Sequence, residues 1–316
     1  MQPILNELSV RPAQDGKPGL EPRMEQLVAV VRALFGLGAS RVLRSTRDAM
    51  NSEVAPDQSL ARWLSDRGRL REEKQLLQAL LSKAPYVDEL LERNEPDSVA
   101  LEFSLGDRAC PGLGVAHLLE APAVSLSGRD EFEVSDLSIQ MLRMDEHGAE
   151  DVFPVDVANF ADPVQVDQRK AALRTRIMRD IPDGDTLWER RSELFPRLDF
   201  CARAERQVKK LHGNEIYFRE ICRHLFVLSD CLADWSEGAF DPVGIEWTPE
   251  SNPTLQHRVY GPMRDIECPD GEVRRFSAHS KLRSGNQRIY FLAVKESRRS
   301  FVGYVGPHLP TVRDPH

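Results

Sequence analysis

The stretch HRVYGPMRDIECPDGEVRRFSAHSKLRSGNQRIYFLAVKESRRSFVGYVGPHLPT, residues 257–311, reads as four or five short strands joined by turns. In RRFSAHSK the pleat sets Arg275, Ser277 and His279 on one face, with Phe276, Ala278 and Ser280 on the other. In RIYFLAV, Ile289, Phe291 and Ala293 oppose Arg288, Tyr290, Leu292 and Val294. The Ser-Gly-Asn centre of LRSGNQ supplies a turn between the two, and KES leads on to RRSFVGYVG. An antiparallel meander of this kind gathers Arg, His, Lys and Tyr on one curved face.

Charge singles out the same segment. Residues 255–316 hold eleven Lys and Arg against six Asp and Glu, whereas the whole chain holds 42 against 50, a formal net charge of −8. A basic tail on an acidic chain marks a surface that meets something anionic.

At 316 residues the chain exceeds the usual span of a single core, so two domains are expected. A hydrophobic content of 41% suffices for real cores, and no apolar run approaches the ~18 residues of a membrane span. MQPILNELSVRPAQDGKPG lacks the basic start and apolar block of a secretory signal, so a cytoplasmic location is expected. The five cysteines, Cys110, Cys201, Cys222, Cys231 and Cys268, are widely spaced with no CxxC pair. Neither a disulfide scaffold nor a thiolate zinc site follows, and Cys222 and Cys231 read as small buried residues of one helix.

Along the chain, ILNELSV suggests a strand, and Met24, Leu27, Val28, Val31 and Leu34 recur at helical spacing. Ser59 is placed to cap SLARWLSD, LREEKQLLQALLSK continues the helical pattern, and Pro85 ends it. VALEFSL, PAVSLS, LSIQMLRM and DVFPVDVANF are strand-like. CPGLGVAHLLEAP has neither a phosphate-binding loop nor a dinucleotide fingerprint, and reads as a turn into a short helix with His117 a core or rim residue. The helix NEIYFREICRHLFVLSDCLADW aligns Tyr217, Ile221, Leu225, Leu228, Leu232 and Trp235, with His224 beside that stripe. FDPVGIEWTPESNP, residues 240–253, reads as a linker or covering loop.

The order His279-Ser-Lys281, a glycine turn, Arg288-Ile-Tyr290-Phe291, a charged turn and a last apolar strand resembles the C-terminal sheet of RelE/ParE-type toxins, over about 60 residues. LWERRSELFPRLDF, FDPVGIEWTPES, FSAHSK, RIYF and VGYVGPHLPT also look like segments of uncharacterised bacterial proteins of mobile-element and antiphage defence loci. The first resemblance implies a metal-independent ribonuclease, in which a 2′-hydroxyl attacks the adjacent phosphate and cations neutralise the developing charge. It would give Lys281 and Arg288 the phosphate, His279 or Tyr290 proton transfer, and His308 the role of a late catalytic residue. Arg258, Arg264, Arg275, Arg283, Arg298 and Arg299 would line the nucleic-acid path. The chain departs from the toxins in the roughly 240 residues that precede the sheet, and in lacking a clear equivalent of their helical hairpin.

The fold expected is α+β: residues 1–240 mainly helical with a small sheet, divisible near 160, then a basic antiparallel β domain over 241–316. Two functions stay open. One is an intracellular defence or toxin-like protein that contacts RNA or another nucleic acid; the other is a non-enzymatic adaptor that docks a larger partner from its own operon, such as an ATPase. The basic face equally fits pairing with carboxylates of the chain itself. No cofactor is expected. No metal is expected either, since His279 and His308 have no acidic residue at ligand spacing.

Overall fold

A computed structural model describes residues 1–66, 68–84, 86, 87, 89, 90, 100–144, 149–284 and 286–315. Pro85, expected to end a helix, Val99 of VALEFSL, and Gly285 of the expected turn lie outside the described residues. The fold is α+β, in two compact units, Met1–Ile177 and Met178–His316. The expected division at residue 240 therefore falls inside the second unit. The reason is the long helix, whose apolar stripe belongs with the C-terminal sheet.

In the first unit the strand-like segments join into a six-stranded sheet, larger than the small sheet expected. Its order is Ile4–Leu5, Ala123–Val124, Glu150–Phe160, Asp136–Met144, Ala100–Leu105 and Arg108–Ala109. The first three strands run parallel and the remaining pairings are antiparallel. Helix Leu20–Gly36 buries Met24, Leu27, Val28, Val31 and Leu34, the residues its periodicity selects. Ser59 caps Leu60–Ser65 by accepting from the Arg62 amide. Between the parallel strands the Asn6 amide donates to Ser125 Oγ, which donates to Asn159 Oδ1; Asn159 in turn donates to the carbonyls of Phe132 and Val134. Every member has a partner, so the network is a structural one.

In the second unit, helix Phe218–Asp234 buries Ile221, Leu225, Leu228 and Leu232. The principal sheet runs Trp247–Pro249, Ala278–Lys281, Gln287–Val294, Arg299–Pro307 and Leu198–Phe200. Three differences from the sequence reading follow. Trp247–Pro249 is an edge strand inside the presumed linker, and Leu198–Phe200 pairs in parallel, so the sheet is not wholly antiparallel. Val273–Arg275 pairs with Asp265–Glu267 in a separate ribbon, which takes Arg275 off the main sheet.

Register in the central hairpin sets His279 opposite Tyr290 and Lys281 opposite Arg288. On the next strand Tyr290 faces Tyr304 while Phe291 faces Val302, a register shift that leaves Gly303 as the extra residue. A Cβ at Gly303 would stand 2.7 Å from the Phe276 ring and 2.8 Å from Ile266, so only glycine fits there. Phe276, Ile266, Leu309 and Cys201 form an apolar cluster with Tyr290 and Tyr304. This second layer seals the middle of a face that alternation alone assigns to solvent.

Candidate functional site

The last residue before Ala278–Lys281 finds its edge partner is Glu250, one step beyond the Trp247–Pro249 strand and anchored by its amide to the Ser277 carbonyl, 2.6 Å away. From there its carboxylate enters the sheet face that carries His279 and Tyr290. Glu250 Oε1 accepts from Tyr290 Oη at 2.7 Å and from Arg264 Nη2 at 2.8 Å, and lies 3.4 Å from His279 Nδ1. His308, just past the end of Arg299–Pro307, sets its ring edge-on to His279 with centroids 5.9 Å apart. One ligand atom each of Glu250, His279 and His308 falls within 4.8 Å of the others.

Arg264 is 0% exposed and is spread over several acceptors besides Glu250. It donates to the carbonyls of Tyr260, Pro310 and Leu309 at 3.0, 3.1 and 3.3 Å. His279 is 4% exposed, yet its Nδ1 has no hydrogen-bond partner among the described residues. Burial pushes this imidazole down to about 4; Glu250 opposes the shift, while Arg288, His308 and Lys281 add to it. His308 is lowered as well, by burial and then by Arg288. Both rings are thereby favoured as neutral bases. Burial, followed by the hydrogen bond to Glu250, raises the Tyr290 phenol.

The residues singled out in the sequence thus fall into three groups. His279, Lys281, Arg288, Tyr290 and His308 occupy one end of one face, where Lys281 lies 3.4 Å from Glu246 and Arg288 has no carboxylate partner among the described residues. Tyr290 and His279 are buried within it, so neither is placed to touch a macromolecule; the half-buried His308 is the outer member. Arg264, Arg275 and Arg299 depart from the expected nucleic-acid path. Arg264 is sealed on Glu250, Arg275 grips Asp265 through two bonds of 2.7 and 2.6 Å, and Arg299 grips Asp199 through two of 2.6 Å. Arg258, Arg283 and Arg298 are exposed. Arg298 lies beyond the far end of Gln287–Val294, about 20 Å from Arg288 at ~3.3 Å per residue.

The residue missed by sequence reading is Glu250. It stands 29 positions before His279 in a Pro- and Asn-rich stretch, and only the edge-strand pairing Pro249↔Ala278 brings it to the histidines. The expectation that no acidic residue stands beside His279 is corrected on this point. The one available signal was WTP, a short β-prone run ahead of the glutamate.

The opposite face of Ala278–Lys281 holds a second polar group. Ser280 Oγ accepts from His224 Nδ1 at 3.1 Å, and His224 Nε2 accepts from Arg223 Nη2 at 2.9 Å. Burial, then Arg223, push His224 down to about 4. Nearby Glu220 accepts from the amides of Arg283 and Ser284, both at 2.8 Å, and from Ser284 Oγ; these bonds outweigh its burial and hold it at about 2. With Ser280 and His224 both buried and both ring nitrogens matched, this group clamps the helix to the hairpin, and its outer end is the half-exposed Arg223. Among the described residues no helix is long and apolar enough to cross a membrane. No protein-family model, no curated protein and no solved structure matches the chain.

Proposed function

We propose that the chain contacts RNA or another nucleic acid through the end of its C-terminal sheet, with Lys281 and Arg288 on phosphate and His308 beside them. The observation that supports this reading is the cross-strand pair Lys281↔Arg288, two cations held side by side next to a half-buried histidine. Like charges placed opposite each other on a sheet cost stability. A phosphate held between them would offset that cost, which Glu246 offsets in part from the Lys281 side. Arg288 Nε is buried without a hydrogen-bond partner among the described residues, and Arg283 extends the positive surface from the adjoining turn. The RelE/ParE-like order of these residues agrees with a bacterial defence or toxin-like setting. In such a setting any RNA cleavage would depend on His308, the one proton carrier of the set that reaches the surface.

The test is binding of labelled single-stranded RNA to the full chain at several salt concentrations, compared with a Lys281→Ala/Arg288→Ala variant. Loss of two phosphate contacts should weaken binding and flatten the salt dependence by roughly 1.4 in slope. Equal binding by both proteins, or none by either, would remove the reading. A second reading, an adaptor docking a larger partner such as an ATPase, is favoured by the pairing of Arg264, Arg275 and Arg299 with carboxylates of their own unit. A stable complex that protects Arg288 and carries no nucleic acid would support it.

A further inference from the structure

We propose that Glu250, His279 and His308 form a binding site for a divalent transition-metal ion, zinc being the ion their donor set suits best. The site goes beyond the nucleic-acid reading and does not depend on it. Two imidazoles and one carboxylate are a recurrent zinc ligand set, with bonds of roughly 2.0–2.2 Å. Such bonds in a tetrahedron put neighbouring donors about 3.3–3.4 Å apart, and His279 Nδ1 and Glu250 Oε1 are already 3.4 Å apart. All three donor atoms lie within 4.8 Å of one another, so a modest closure of His308 completes the triangle.

The second, independent observation is His279 Nδ1. A nitrogen on a side chain more than nine-tenths buried, aimed at a carboxylate yet with no hydrogen-bond partner, costs stability unless something else satisfies it. A metal ion does so, and a neutral imidazole is the form that ligates. The surrounding groups are those that orient ligands in metal sites. Tyr290 Oη and Arg264 Nη2 fix the Glu250 carboxylate, and Asp314 Oδ2 stands 3.6 Å from His308 Nδ1. Arg264 divides its donors between Glu250 and three backbone carbonyls, which anchors the pair from behind. Glu250 follows an edge strand, His279 sits within a strand and His308 follows another, so three segments far apart in sequence are tied at one point. The partly exposed His308 leaves the outer side open to an incoming ion, and three protein donors leave a fourth position for water or a ligand.

The experiment uses the full chain, stripped with chelator and titrated with Zn²⁺, and separately with Co²⁺ followed by visible absorption. One ion per chain, a raised Tm and a Co²⁺ spectrum typical of four-coordination are expected. His308→Ala, a change at the outer rim that spares the core, should lower Zn²⁺ affinity by more than the roughly 10–100-fold that loss of an outer partner costs. Glu250→Gln should do the same. Absence of stoichiometric binding in the wild type, or wild-type affinity in His308→Ala, overturns the proposal. Because no RNA is present, failure here leaves the nucleic-acid reading standing, and failure of RNA binding leaves this one standing.

Discussion

Two histidines, each packed against a strand of the same sheet and each beside a glutamate, meet opposite fates. His224 has both ring nitrogens engaged, on Ser280 Oγ and Arg223 Nη2. His279, on the other face of the strand that carries Ser280, leaves Nδ1 unmatched 3.4 Å from Glu250. A polar network that closes on itself explains its own presence, since it fixes packing. One that stops an atom short points outward to a ligand.

The largest effect is expected where the His279 face is anchored. Arg264→Leu leaves Glu250 buried without its cation and strands the carbonyls that Arg264 serves. Removing one member of a buried pair costs about 3–5 kcal/mol, so urea unfolding should shift by that amount. A shift below about 1 kcal/mol would mean that water already supports Glu250, and that the face is open rather than sealed.

That arrangement also marks where the sequence stopped being legible. The long helix could be read because Ile221, Leu225, Leu228 and Leu232 repeat at helical spacing, and all four are buried. The hairpin could be read because two strand-period runs flank a turn, and His279 does meet Tyr290 across it. Alternation tells which residues share a face, not whether a second layer covers that face; Ile266, Phe276 and Leu309 cover this one, so Tyr290 is inside. Ion pairs such as Arg275–Asp265 and Glu250–Arg264 form between segments whose approach is set by tertiary pairing. A count of basic residues in the tail therefore overstated the free positive charge.

A middle-sized effect separates the two histidines directly. At pH 7, His224→Leu strands the buried Ser280 hydroxyl, whereas His279→Leu removes a nitrogen that had no partner. The first should cost about 1–3 kcal/mol more than the second. Acid acts on both rings alike, because burial lowers each from 6.5 to about 4. The folded His224 is lowered from 6.5 to about 4, so the unfolded chain takes up the proton first as pH falls. Stability supplied by the neutral ring is whole above 6.5 and lost as pH drops toward 4, on the order of 3 kcal/mol. His224→Leu should accordingly reduce the slope of the stability curve between pH 6.5 and 4, with His279 supplying much of what remains, read by urea midpoints. An unchanged slope would place His224 in contact with water.

The smallest stability effect belongs to the rim of the His279 face, and there a null result is informative. Lys281 and Glu246 are 3.4 Å apart with side chains 37% and 59% exposed, a geometry worth at most about 1 kcal/mol. Lys281→Ala should therefore leave the unfolding midpoint nearly unchanged while weakening binding of single-stranded RNA and lowering its salt slope by roughly 0.7. Glu246→Gln, which releases the same ammonium, should hold or strengthen binding. If Lys281→Ala instead lowers stability and leaves binding intact, the lysine serves the sheet and not a ligand. The rim would then resemble the His224 side, and the contrast between the two faces would shrink to the unmatched nitrogens of His279, Arg264 and Arg288.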